Sequence, residues 1–214
     1  MTMASSMLFA VILILLGQAV STYAQGDSAY DYDAQKSLLP PDIGRVYLGM
    51  PLRQFASRVD LAKAESDYRY GFLEIEIPFK KGNIANLRVR VHGLDRDQLD
   101  AIHSAEKAVK KSADGTEYTE EVKRLKVSAI PPDGVVYSMY IVFRDGFDLK
   151  AWAEKTYGKG TTRAKEDEYY FYDQQWTKTS SDGLGWLIRA FYDGGQRQLQ
   201  LLGIIPGTEW DPEA

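Results

Sequence analysis

The chain has 214 residues, 26 Lys and Arg against 30 Asp and Glu, a formal net charge of -4 and no Cys. A mildly acidic chain without a basic stripe argues against nucleic-acid binding. The missing Cys excludes disulfides, a lipidated Cys, thiolate zinc sites and thiol nucleophiles.

The first segment speaks to compartment. Residues 1–7 are a polar lead, "LFAVILILL" from Leu8 to Leu16 is an apolar core, and "GQAVSTYAQ" follows with small residues. That is the three-part shape of a secretory signal, although no Lys or Arg precedes the core. Cleavage is expected after Ala24, with Ala19 as the second choice. The core is about half of the roughly 20 residues a membrane span needs, so no span is expected in the mature chain. A periplasmic or secreted location follows, and without disulfides the bacterial periplasm is favoured. Residues 25–41 are polar, ending in "LLPPD", and read as a flexible N-terminal tail.

Leu52, Phe55, Ala56 and Val59 recur at helical spacing after Pro51, which suits a first turn. "YRYGFLEIEIPF" then alternates, with Glu74 and Glu76 on one face and Leu73, Ile75 and Ile77 on the other. "KKGN" makes a hairpin turn into "IANLRVRVHG", with Arg88 and Arg90 outward. "DRDQLDAIHSAEKAVKK" (95–111) reads as a helix with Leu99, Ile102, Ala105 and Ala108 or Val109 as its stripe, and "EYTEEVKRLKV" (117–127) as another. After the turn at Pro131-Pro132-Asp133-Gly134, "VVYSMYIVF" is a strand. "FDLKAWAEKTYGKG" is a helix with Asp148 as N-cap and Gly158 as its stop. Three strands follow as an antiparallel meander: 168–176, 184–192 and 197–205.

The two halves echo each other. "VYLGMPLRQFA" (46–56) aligns with "VFRDGFDLKAWA" (142–153), matching Gly49 with Gly146, Leu52 with Leu149 and Phe55 with Trp152. "LRVRVHG" (87–93) aligns with "IRAFYDG" (188–194) in the same order. The expected fold is therefore α+β, with tandem duplicated strand-helix-hairpin units and helices packed on an antiparallel sheet. The expected units are 42–130, carrying extra helices, and 131–214.

"LGMPLRQF" (48–55) resembles the Gly-Met-x-x-x-Gln/Glu-apolar helix opening of exported bacterial proteins of the BamE/SmpA-OmlA and beta-lactamase-inhibitor-protein type. The resemblance spans roughly 50 residues and rests on Gly49, Met50, Gln54 and Phe55. The chain lacks the lipid-anchor Cys and Leu-Gly-x-Pro helix exit of the first group, and the disulfide Cys of the second. The resemblance implies a helix-plus-antiparallel-sheet fold and a binding role.

No catalytic constellation stands out. The two His, His92 and His103, form no metal-ligand pair, and no Gly-x-Ser-x-Gly elbow, P-loop or dinucleotide motif occurs. Glu74 and Glu76 sit about 7 Å apart on one strand face, a spacing a glycosidase uses. Arg88 and Arg90 across the hairpin give them a structural explanation instead. The richest local composition is "EDEYYFYDQQW" (166–176). Its aromatics exceed what one buried face needs, and Tyr and Trp suit contact surfaces. A partner-binding surface is expected at Tyr170, Tyr172 and Trp176, with Arg189 at its side. The expected function is a non-catalytic binding or envelope-associated protein recognising a protein partner, without metal or cofactor. An inhibitor or immunity-type protein of a secreted enzyme is the alternative, and a glycan-acting hydrolase the second.

Overall fold

Antiparallel strands build most of this molecule, with apolar and polar residues alternating most clearly in "LEIEI" and "LRVRV". The computed structural model describes residues 31–61, 63–69, 72–131, 134–162, 172–179 and 185–204. Its elements in chain order are α1 (Tyr32–Gln35), α2 (Leu52–Arg58), β1 (Glu65–Arg69), β2 (Phe72–Pro78), β3 (Ile84–His92), α3 (Arg96–Ile102), β4 (His103–Lys111), β5 (Glu117–Leu125), β6 (Val135–Phe143), α4 (Leu149–Tyr157), β7 (Thr161–Thr162), β8 (Asp173–Thr179), β9 (Gly185–Asp193) and β10 (Gln196–Ile204). The fold is α+β and mostly antiparallel sheet. Eight strands form one sheet in the order β1-β2-β3-β6-β10-β9-β8-β7, and β4 and β5 pair apart as a two-stranded hairpin. None of the described helices is long and apolar enough to cross a membrane.

Register shows how the sheet sorts its faces. Ile75, Val89, Met139, Leu201, Ile188 and Trp176 are successive cross-strand partners from β2 to β8. All six are buried. Leu52 and Phe55 of α2 and Leu149, Ala153 and Tyr157 of α4 belong to the same apolar cluster. α4 starts and stops as its sequence dictates. Asp148 accepts from the Ala151 N–H at 2.9 Å, and Gly158 closes the helix at φ 81°, a backbone state a side chain opposes. Pro51 stands one position before α2 and bridges to Val135.

Several expectations are corrected. The helix expected over 95–111 ends at Ile102, and His103 begins β4. Leu99 and Ile102 are buried, but Val109 is 68% exposed, so the supposed stripe has no core to enter beyond Ile102. The helix expected over 117–127 is strand β5. Pairing β4 with β5 lets Lys110 meet Glu120 at 3.2 Å, Lys111 meet Glu117 at 3.1 Å and Arg124 meet Glu106 at 3.3 Å. Cross-strand charge pairs of this kind favour the ladder. The single strand expected from "YRYGFLEIEIPF" is a hairpin, with Arg69 opposite Phe72. Of the expected strand 168–176, residues 168–171 lie outside the described residues and 173–176 fall in β8, while β9 and β10 lie within one residue of expectation.

The segment expected as a flexible tail over 25–41 is docked from Asp31 onward. Leu39 is buried, and Gln35 is 1% exposed. The Gln35 amide donates to the Leu48 carbonyl and accepts from the Leu48 N–H, both at 2.8 Å. A side chain thus supplies the pairing that a strand would otherwise give Leu48. Further on, Asp42 accepts from the Asn83 N–H at 2.7 Å, and the Tyr157 hydroxyl donates to the Leu38 carbonyl at 2.5 Å. The same short segment therefore holds the β2–β3 turn and the end of α4.

Candidate functional site

Of the residues expected to form a recognition surface, Tyr172 and Trp176 are buried and Arg189 is half-buried. Tyr170 lies outside the described residues. Tyr172 and Trp176 are buried, at 7% and 6% exposure. The Trp176 indole N–H donates to the Gly158 carbonyl at 3.0 Å, which ties β8 to the end of α4. Its ring continues an aromatic string through Tyr157 and Trp152 to Phe147 and Phe143. Tyr172 stands 5.7 Å from Tyr192, ring centre to ring centre. Burial pushes its hydroxyl pKa well above the ordinary tyrosine value. Arg189 grips Asp173 with two bonds, at 2.8 and 2.6 Å, and its guanidinium lies 4.3 Å from the Phe191 ring centre. Asp173 is buried at 4% exposure, and the pair joins β8 to β9 on the face that Arg189 shares with its cross-strand partner Gln175. Of the aromatic stretch, Tyr172 and Trp176 are core: the Trp176 ring centre lies 5.1 Å from that of Tyr157, and the Lys150 ammonium lies 6.0 Å from the Tyr172 ring centre.

The surface the sheet does offer is on its other face. One row of cross-strand partners runs through all eight strands: Glu65, Glu76, Arg88, Tyr140, Gln200, Arg189, Gln175 and Thr161. Every member is polar and none is buried, in contrast to the parallel buried row ending at Trp176. The side chains bond along this face. Arg88 meets Glu76 at 3.1 Å and Glu74 at 3.5 Å, and Arg90 meets Glu74 at 3.0 Å. The Arg90 guanidinium lies 5.2 Å from the Tyr140 ring centre, a cation–π distance. The Tyr140 hydroxyl accepts from the Gln200 amide at 2.7 Å. Beside them is Tyr137, whose hydroxyl pKa burial pushes up to about 12 against the opposing pull of Arg90. Leu187 and Leu202 are half-buried partners next to this row. A polar lattice around a few apolar and aromatic side chains matches the make-up of contact surfaces.

Glu74 and Glu76 lie on this face and, among the described residues, pair with Arg88 and Arg90, as the alternation suggested. Each carboxylate is held by guanidinium, so the pair serves the lattice. His92 packs edge-on against Tyr137 at 6.1 Å. His103 caps α3, with Nδ1 2.7 Å from the Leu99 carbonyl. Among the described residues, no group of three or more His, Asp or Glu is placed to hold a metal ion. A cleft of about 370 Å³ separates the β5 strand from β1 and β2, with Glu65, Asp67, Lys110 and Lys123 on its walls. Lys110 reaches Glu65 at 2.9 Å and Lys123 reaches Asp67 at 3.1 Å across it, which pins the β4–β5 hairpin along the edge strand β1.

Tyr140 and Gln200 are the residues that sequence reasoning missed. The signal was present as outward positions on two alternating strands. Their meeting depends on β6 lying between β3 and β10, which no local pattern encodes.

These features define an α+β protein whose eight-stranded antiparallel sheet is apolar on one face and polar on the other. Comparison with protein-family models finds none that matches, and comparison with curated proteins and with solved structures finds no significant match.

Proposed function

We propose that this chain is an exported, non-catalytic binding protein that engages a protein partner across the polar face of its sheet. The observation that carries this reading is the eight-strand row from Glu65 to Thr161, polar throughout and unburied throughout. A paired, hydrogen-bonded lattice on a rigid sheet is preorganised, so little side-chain entropy is lost when a partner covers it. Export rests on the apolar run Leu8–Leu16 and the small residues up to Ala24.

The same reading includes an origin by tandem duplication, with helices laid across the apolar sheet face. Supporting it, α2 precedes β1, β2, β3 and β6, while α4 precedes β7, β8, β9 and β10, and the sheet order mirrors about the β6–β10 seam. The aligned stretches 87–93 and 188–194 then fall on the third strand of each half. On this division β6 completes the first half rather than opening the second, and the β4–β5 hairpin is an insertion. The mirrored halves also favour the second reading, an inhibitor of a secreted enzyme, because the resemblance to inhibitor proteins includes tandem duplication.

The test is affinity capture from envelope extract with the chain starting at Gln25, beside an Arg88→Ala/Gln200→Ala variant. The expected result is one protein recovered by the parent and depleted with the variant. An enzyme whose activity falls on binding would select the inhibitor reading. Recovery of no protein, together with measurable binding to peptidoglycan or oligosaccharide, would overturn the proposal.

A further inference from the structure

At one end of the large sheet, β8 outruns the edge strand β7. β7 covers only Gln175 and Gln174, through Thr161 and Thr162, whereas β8 continues to Thr179. Among the described residues, none pairs with the outer edge of Trp176–Lys178. The chain ahead of β7 cannot swing down to cover it. Gly158 turns the backbone out of α4, and Gly160 lies so close to the Trp176 ring that a Cβ there would come within 2.7 Å. The bond from the Trp176 indole to the Gly158 carbonyl fixes the loop in that place.

A cleft of about 630 Å³ opens between this loop and β8, walled by Lys159, Thr161, Gln175, Thr177 and Lys178 among others. Among the described residues that line it, none is acidic. The Gln175 Oε1 is buried there and accepts no hydrogen bond, a costly state for an amide oxygen unless a donor arrives.

We propose that this edge of β8 takes up an extended acidic segment of a partner protein as an added strand. An open sheet edge presents unpaired N–H and C=O groups that template another strand. Main-chain bonds then give affinity, and pockets for alternate side chains give specificity. Side chains alternate along β8, so Lys178 faces the α4 side with Trp176, while Gln175 and Thr177 face the polar side. Carboxylates at every second position of the added strand meet Lys178 and Lys159. Hydroxyl donors at the positions between them meet the Gln175 Oε1. The site is separate from the centre of the polar face, so it adds a second point of attachment.

The experiment is fluorescence anisotropy on the full chain with a short labelled peptide alternating Glu and Thr, its counterpart alternating Lys and Thr, and a Glu–Thr version N-methylated at alternate amides. The acidic peptide is expected to bind at least about tenfold more tightly than the basic one. The Lys159→Glu/Lys178→Glu variant is expected to reverse that preference, and the N-methylated peptide is expected to lose binding. No binding, equal binding of both charges, or full retention by the N-methylated peptide would overturn the proposal. So would a chain stopped after Ile204 that binds the acidic peptide about tenfold more tightly. That result would give the edge to the protein's own acidic residues within 205–214.

Discussion

At the scale of single residues, the polar atoms inside this protein act as fasteners. Gln35 pairs with both backbone groups of Leu48, Trp176 anchors Gly158, and Arg189 clasps Asp173. None of these partnerships is close in sequence, so each reads locally as a polar or aromatic residue of unassigned use. The tyrosines carry a consequence for pH. Burial raises Tyr137 from 10.0 to about 12, and burial raises Tyr157 and Tyr172 in the same direction. The folded state therefore holds phenol protons that the unfolded chain releases near pH 10. Stability from these groups is complete below that value and is lost as pH rises towards 12. Urea unfolding at about pH 9 and about pH 11 should show a lower midpoint at the higher pH, with Tyr137→Phe losing less. Equal midpoints for the parent chain at both values would contradict the burial argument.

At the scale of elements, the β4–β5 hairpin is the clearest departure from local expectation. Residues 95–111 carry apolar positions at helical spacing, and the sequence was legible as far as Ile102, where the Asp95 capping box with Gln98 starts a real helix. Beyond it the stripe is only Ala105, Ala108 and Val109, too little apolar surface to hold a helix in place. Nine cross-strand pairs, closed by the turn at Gly115 with φ 87°, win instead. Two substitutions separate the alternatives. Ile102→Ala should cost about 2–5 kcal/mol, as for a filled core position. Val109→Lys should change stability by no more than about 0.5 kcal/mol, because the position is on the surface. A loss at Val109 as large as that at Ile102 would restore the continuous helix. Elements with capping or turn residues at their ends, such as α4 and β3, were legible almost to the residue.

At the scale of the whole molecule, the seam between β6 and β10 joins everything. Met139 pairs with Val89 on one side and Leu201 on the other, and all three are buried. One apolar cluster spans both halves of the sheet, so the halves share their stability. Met139→Ala is expected to lower stability by about 2–5 kcal/mol. It should do so in a single transition, seen alike by tryptophan fluorescence and far-ultraviolet circular dichroism. Two separate transitions would mean that the halves fold independently.

Sequence by itself determined which residues face inward along β2 and β3, where α2 and α4 begin, and the pairing of Glu74 and Glu76 with Arg88 and Arg90. Period, caps and short hairpins are local, and local physics decides them. Tertiary structure decided that Tyr172 and Trp176 are core, that 103–125 is a hairpin, and that a polar row crosses eight strands. Each of these depends on which strands become neighbours and on what covers a face. Those outcomes come from packing between residues far apart in the chain, and no window of sequence contains both partners.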